Sequence, residues 1–190
     1  MAWESSVPAS EPVTTSEAKI FMKVRSTVTA DDSLIAALIT SAREEYEHES
    51  GSITVTRNIT EYWDEWPKDG RTITLSAGPV ASITTVKYKD ESGTLTTISS
   101  SNYTTDLTST NARIYFNEDY TLPEMGDFIN SLQVVYVAGV AVADVSEVAK
   151  LAIKTRVTLM YNNRADMPLG GKPGQRTFEV LARRKRRNWV

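Results

Sequence analysis

The run Asp144–Asn163 (DVSEVAKLAIKTRVTLMYNN) constrains this chain most. Val145, Val148, Ala149, Ala152, Val157, Leu159 and Met160 fall largely at three- and four-residue steps, which lays a broad apolar stripe along one helix. Asp144 is placed to accept an N–H of the first turn, with Glu147 three residues on to reach back. No helix breaker follows until Met167-Pro168-Leu169-Gly170-Gly171, so the helix is expected over 144–164. A helix with so wide a stripe cannot bury it alone. The rest of the chain must supply a partner surface.

The N-terminal third supplies helices. Thr14 and Glu17 form a capping box ahead of Ala18, Ile20, Phe21, Met22 and Val24, which predicts a short helix over 14–24. Thr29 and Asp31 offer caps for a second helix over 30–50, striped by Leu34, Ile35, Leu38, Ile39, Ala42 and Tyr46 and stopped at Ser50-Gly51. From 52 to 139 the period changes to two. Ile53, Val55, Ile59 and Trp63 alternate with threonines and Asn58, and short β-branched runs at 72–75, 83–90, 94–98, 103–106, 113–116 and 132–138 are separated by Gly, Pro, Ser and Asn turns. Such spacing implies an antiparallel sheet, not βαβ units. The fold class expected is α+β: a helical body, two N-terminal helices plus the long C-terminal one, carrying an inserted antiparallel β-sheet region.

Charge is unevenly spread. From Arg176 to Val190 six cations face one carboxylate, a balance of +5 that leaves −8 on the remainder of a chain whose net charge is −3. Residues 1–12, rich in Ser, Pro and Ala, are expected to be a flexible arm with Trp3 as an anchor, and 167–190 a loop and basic tail. The body of the chain is then 13–166. No apolar run reaches membrane-spanning length, and the first residues have no signal-peptide pattern, so a protein made in the cytoplasm is expected. Without cysteine, disulfides and thiolate metal sites are excluded.

Residues that could carry chemistry do not assemble into a pattern. The single histidine, His48, has Glu44 at helical spacing but no third ligand, and reads as a solvated helix end. Asp64 and Glu65, Asp90 and Glu91, and Glu118 and Asp119 are paired carboxylates in turn sequence, where solvation is the ordinary state. Gly170-Gly171-Lys172 lacks the earlier glycine and the Ser or Thr of a phosphate loop. No catalytic, cofactor or metal site is expected. The basic run Arg183, Arg184, Lys185, Arg186 and Arg187, with Trp189 beside it, is the strongest charge feature. It suits an acidic protein surface or phosphates, with the indole as an anchor.

Taken in order, several segments resemble the head–tail connector (adaptor, or head-completion) family of tailed phages. VTTSEAKIFMKV followed by TADDSLIAALITSAREEYEHESG is similar to that family's opening helix pair. ITVTRNITEYWDEWP and RTITLSAGPVASITTVKYKDESG, with the Leu-x-x-x-Pro-Val-x-Ser-Ile pattern at 75–83, resemble its strand region. NYTTDL and VVYVAGVAVADVSEVAKLAIKTRVTLMYNNRADM resemble its last strands and long helix. The resemblance covers roughly residues 12–166, and the dense basic tail departs from it. It implies a non-enzymatic virion part without cofactor, a ring of about twelve copies beneath the portal protein. The ring would extend the DNA channel, without sequence-specific DNA binding, and meet a tail-side neck or stopper protein.

A closed ring needs one face of each subunit to meet a different face of the next. The two long helices are the expected wall, with Leu34, Leu38, Tyr46, Val148, Ala152 and Leu159 as interface candidates and the basic tail as a portal or DNA contact. Two other classes compete. One is a DNA-binding protein acting in packaging through its tail, the other a virion-associated glycan hydrolase built on the β region.

Overall fold

The computed structural model describes residues 2–109, 111–163 and 175–183. The chain divides into a helical unit, 9–55 with the part from 140 onward, and a β unit, residues up to 8 with 56–139.

In the helical unit, α1 (Thr15–Met22) opens on the capping box the sequence indicates: Glu17 N donates to Thr14 Oγ1 at 3.2 Å, and Thr14 N donates to the Glu17 carboxylate at 2.7 Å. It ends at Lys23, which takes a left-handed φ of 60°. The second helix, α2 (Asp32–Ser50), stops at Gly51 with φ 64°, a conformation that favours glycine. Asp31 occupies its N-cap position but makes no side-chain cap bond. Its carboxylate instead accepts the Tyr161 hydroxyl at 2.6 Å, from α3 (Glu147–Asn162). The long helix therefore starts later than its first acidic residue suggests. Asp144 belongs to a 3-10 turn over Val142–Asp144, and Ser146 caps α3 by accepting Ala149 N at 3.3 Å. Val145 precedes the helix, buried in the core. Finally α4 (Gln175–Arg183) corrects the expected loop and basic tail: this part of 167–190 is a helix, with Phe178 and Ala182 packed into the core.

The core of this unit is built from Ile35, Ile39, Ala42 and Tyr46 of α2, Ala149, Ala152, Ile153 and Val157 of α3, and Phe178 and Ala182 of α4. A buried ion network sits beside it. Arg43 is buried and donates to Glu11 at 2.8 Å and to Glu47 at 2.9 Å. Glu47 also accepts Thr54 N at 2.8 Å and the Thr54 hydroxyl. Burial disfavours the guanidinium charge, but the bond to Glu11 and the charge of Glu47 outweigh it and raise the Arg43 pKa.

The β unit holds two antiparallel sheets. The larger has β1 (Ala2–Ser5), β2 (Arg57–Trp63), β8 (Leu132–Ala138), β4 (Val80–Lys89) and β5 (Leu95–Ile98) in that order, so the last strand in sequence is central. The smaller orders β3 (Thr72–Thr74), β7 (Arg113–Phe116) and β6 (Tyr103–Asp106). Alternation decides what is buried: Leu132, Val134, Tyr136 and Ala138 point inward along β8. Ile59 and Glu61 do so along β2. Trp66 meets Phe116 edge-on at 5.5 Å.

Two further expectations change. The N-terminal arm is not free, since Ala2 to Ser5 pair with Tyr62 to Ile59 as an edge strand. The unpaired N–H and C=O groups along β2 recruit an extended segment whatever its side-chain pattern. The β unit also starts at 56, not 52, because Val55 bridges Val140 within the helical unit.

Candidate functional site

The sequence-derived interface residues separate once folded. Tyr46 and Ala152 are corrected: at 2% and 0% exposure they lie inside the subunit's own core and present no surface to a neighbour. Inward placement follows from their spacing with Ile39, Ala42 and Ala149 on the core stripes. Leu34 is exposed, while Leu38, Val148 and Leu159 are half-buried, Leu38 against the core. Of the basic tail, Arg183 is the exposed last residue of α4; Arg184, Lys185, Arg186, Arg187 and Trp189 lie outside the described residues, as do the loop 167–174 and its glycines.

The turn carboxylates stay apart and serve their own loops. Asp64 accepts Asn130 N at 2.7 Å, and Asp90 binds Ser92 and Thr94, whose donors hold its pKa below the usual range. In the β unit the one fully buried carboxylate is Glu61. It accepts Ser76 N at 3.0 Å, Ser76 Oγ at 2.6 Å, Ala77 N at 3.1 Å and the Tyr136 hydroxyl, which ties the segment after β3 to β2 and β8. Four donors from fixed backbone and packed side chains make this a structural staple, with no face open to substrate. Among the described residues, no three His, Asp or Glu side chains are grouped to hold a metal ion, and no helix is long and apolar enough to cross a membrane.

What the structure does assemble is surface, and it lies on the helical unit. Glu44, Glu45, His48 and Glu49 of α2, Arg156 of α3, and Phe178 and Glu179 of α4 line an open groove of about 550 Å³. Its floor is tied across helices: Arg156 grips the Glu45 carboxylate through Nε and Nη2, the latter at 3.0 Å, and its guanidinium lies 5.6 Å from the Phe178 ring centre. On α1 the pattern is the reverse. Ile20 is 75% exposed and Phe21 41%, with Leu151 of α3 also 41% exposed, and Lys154 stands 5.9 Å from the Phe21 ring centre. Neither surface is among the sequence-derived candidates. In an eight-residue helix only one side can face inward, and Ala18, Lys19 and the partly buried Met22 take it, which leaves Ile20 and Phe21 outside.

An α+β chain of this fold has structural counterparts. No protein-family model matches the sequence, and no curated protein matches it. Among solved structures, the fold is shared with a chain from the neck of an empty gene transfer agent particle determined with sixfold symmetry, at TM-score 0.80 and 18% identity over 100% of this chain and 97% of that one. A chain from the virion of a native gene transfer agent particle aligns at TM-score 0.78 and 15% identity, again over 100% and 97%. A third, from the neck of the native particle determined with twelvefold symmetry, gives 0.67 and 16% over 96% and 95%. The α+β architecture expected from the sequence is thus the one found, and the fold is shared over almost the whole chain with these gene transfer agent chains.

Proposed function

We propose that this chain is a structural adaptor of a phage-like particle. About twelve copies close into a ring beneath the portal protein, lengthen the DNA channel and present a surface to the next tail-side protein. The observation that carries this reading is the likeness to chains from gene transfer agent necks, which leaves almost no part of either chain unaccounted for. The twelvefold symmetry used for one of those necks fits the copy number. The working location is the virion neck, and the role needs no reaction. The basic tail is assigned to the portal, where clustered cations would meet an acidic rim.

Mixing tests this. Light scattering on the full chain with portal particles should give a complex heavier than portal by about a ring of subunits, and deleting 184–190 should weaken attachment. A chain that leaves portal mass unchanged at every ratio contradicts the proposal.

A further inference from the structure

Copies closing into a ring must join through two different faces. The helical unit carries two faces of opposite character. The α1 face is apolar and exposed at Ile20, Phe21 and Leu151. Its cations are Lys23 and Arg25, both exposed just past the helix, and Lys150 and Lys154 on α3. Glu17 and Glu147 lie among them, the former committed to the capping box and the latter 3.1 Å from Lys150, while Asp32 is ion-paired to the buried Lys19 of α1. The groove face has four carboxylates, from Glu44, Glu45, Glu49 and Glu179; Glu45 is held by Arg156 and Glu44 lies 3.4 Å from Arg43 Nη2, which leaves the face net acidic. Along α3 the two faces look different ways: Lys154 and Arg156 are two residues, about 200°, apart on the helix. A surface of this kind on one copy cannot cover its own groove.

We propose that the α1 face of one copy docks in the groove of the next, Ile20 and Phe21 entering the groove while Lys23 and Lys154 meet Glu44 and Glu49. The occupant is a second copy of this chain, and the argument is charge complementarity between an apolar knob ringed by cations and an open groove lined by carboxylates. The arrangement rests on the ring reading above and names the contact that reading requires.

Two charge-reversed proteins test it: Lys23→Glu with Lys154→Glu on the knob, and Glu44→Lys with Glu49→Lys on the groove. Each alone sets like charges against each other at every junction. Their equimolar mixture restores opposite charges at every junction, because knob and groove then alternate between the two proteins. By sedimentation velocity on full chains with matched melting temperatures, self-association should weaken by about tenfold or more in each variant and return toward wild type in the mixture. A variant that has merely lost its fold would not be restored by mixing. Undiminished association of the single variants, a mixture no better than its parts, or a wild type that never self-associates overturns the docking. So does loss of association on removing 184–190 while the knob variant still assembles, which would give the groove to the basic tail. The ring reading is judged apart, by attachment to portal: knob-reversed protein that joins portal as well as wild type sinks the face assignment alone.

Discussion

Single residues hold this molecule together in ways that charge on paper conceals. Glu61 is fully buried yet accepts four donors. Glu61→Ala strands the amides of Ser76 and Ala77 and the Tyr136 hydroxyl, and should cost about 3 kcal/mol or more in denaturant unfolding. Tyr136→Phe removes one donor and should cost about 1 kcal/mol. Tyr46 offers a pH signature. Burial pushes its phenol up to about 12, whereas in the unfolded chain it titrates near about 10. Because the folded value is the higher one, this contribution is complete below pH ~10 and drains away as pH rises toward ~12, by about 2 kcal/mol. Unfolding free energies measured from pH 9 to 11.5 should therefore fall faster for wild type than for Tyr46→Phe. Parallel curves would refute the assignment.

At the level of elements, the α1 capping box and the docking of α4 are separable. Thr14→Ala should destabilise by about 1 kcal/mol. Thr14's backbone and hydroxyl bonds hold the Glu17 carboxyl below its usual range. The cap's benefit is accordingly present above the ordinary glutamate pKa of about 4.3 and lost as pH falls through the lower folded value. Comparing Glu17→Gln with wild type between pH 6 and 3 checks the sign: their stabilities should converge in acid. Phe178 anchors α4 in the core at 4% exposure, so Phe178→Ala should cost about 3 kcal/mol and speed amide exchange across 175–183 ahead of α2.

The elements also show what sequence can and cannot disclose. Strands 113–116 and 132–138 form where alternation and turn residues place them, because their burial follows period two. Strand β1 has no such pattern, and its structure comes from the edge it joins. The start of α3 was obscured because Asp144 and Ser146 both suit an N-cap, and only the packing of Val145 selects the later one. Ile153 was outside the expected stripe although it is fully buried, since Lys150 and Lys154 on either side make that turn look solvated. Buried Glu61 leaves no local trace, because its donors come from Ser76, Ala77 and Tyr136, whereas Arg43 and Glu47 stand at i,i+4 spacing that reads equally well as a solvated pair. Interface candidates failed at Tyr46 and Ala152 for a related reason: one apolar stripe serves either a core or a neighbour, and the helix pair used these residues for itself.

At the scale of the molecule, the helical and β units are each stabilised internally, and the helical unit presents an acidic groove and a cation-ringed apolar knob. That division suits a part whose work is contact. The central claim is that copies of this chain form a closed ring in the neck. Averaged electron images of the neck of particles assembled with this protein, taken without imposed symmetry, test it most directly. The account predicts a ring of about twelve copies, with α1 of each against α2 and α4 of the next. A neck without this chain, or with single unconnected copies, would contradict it.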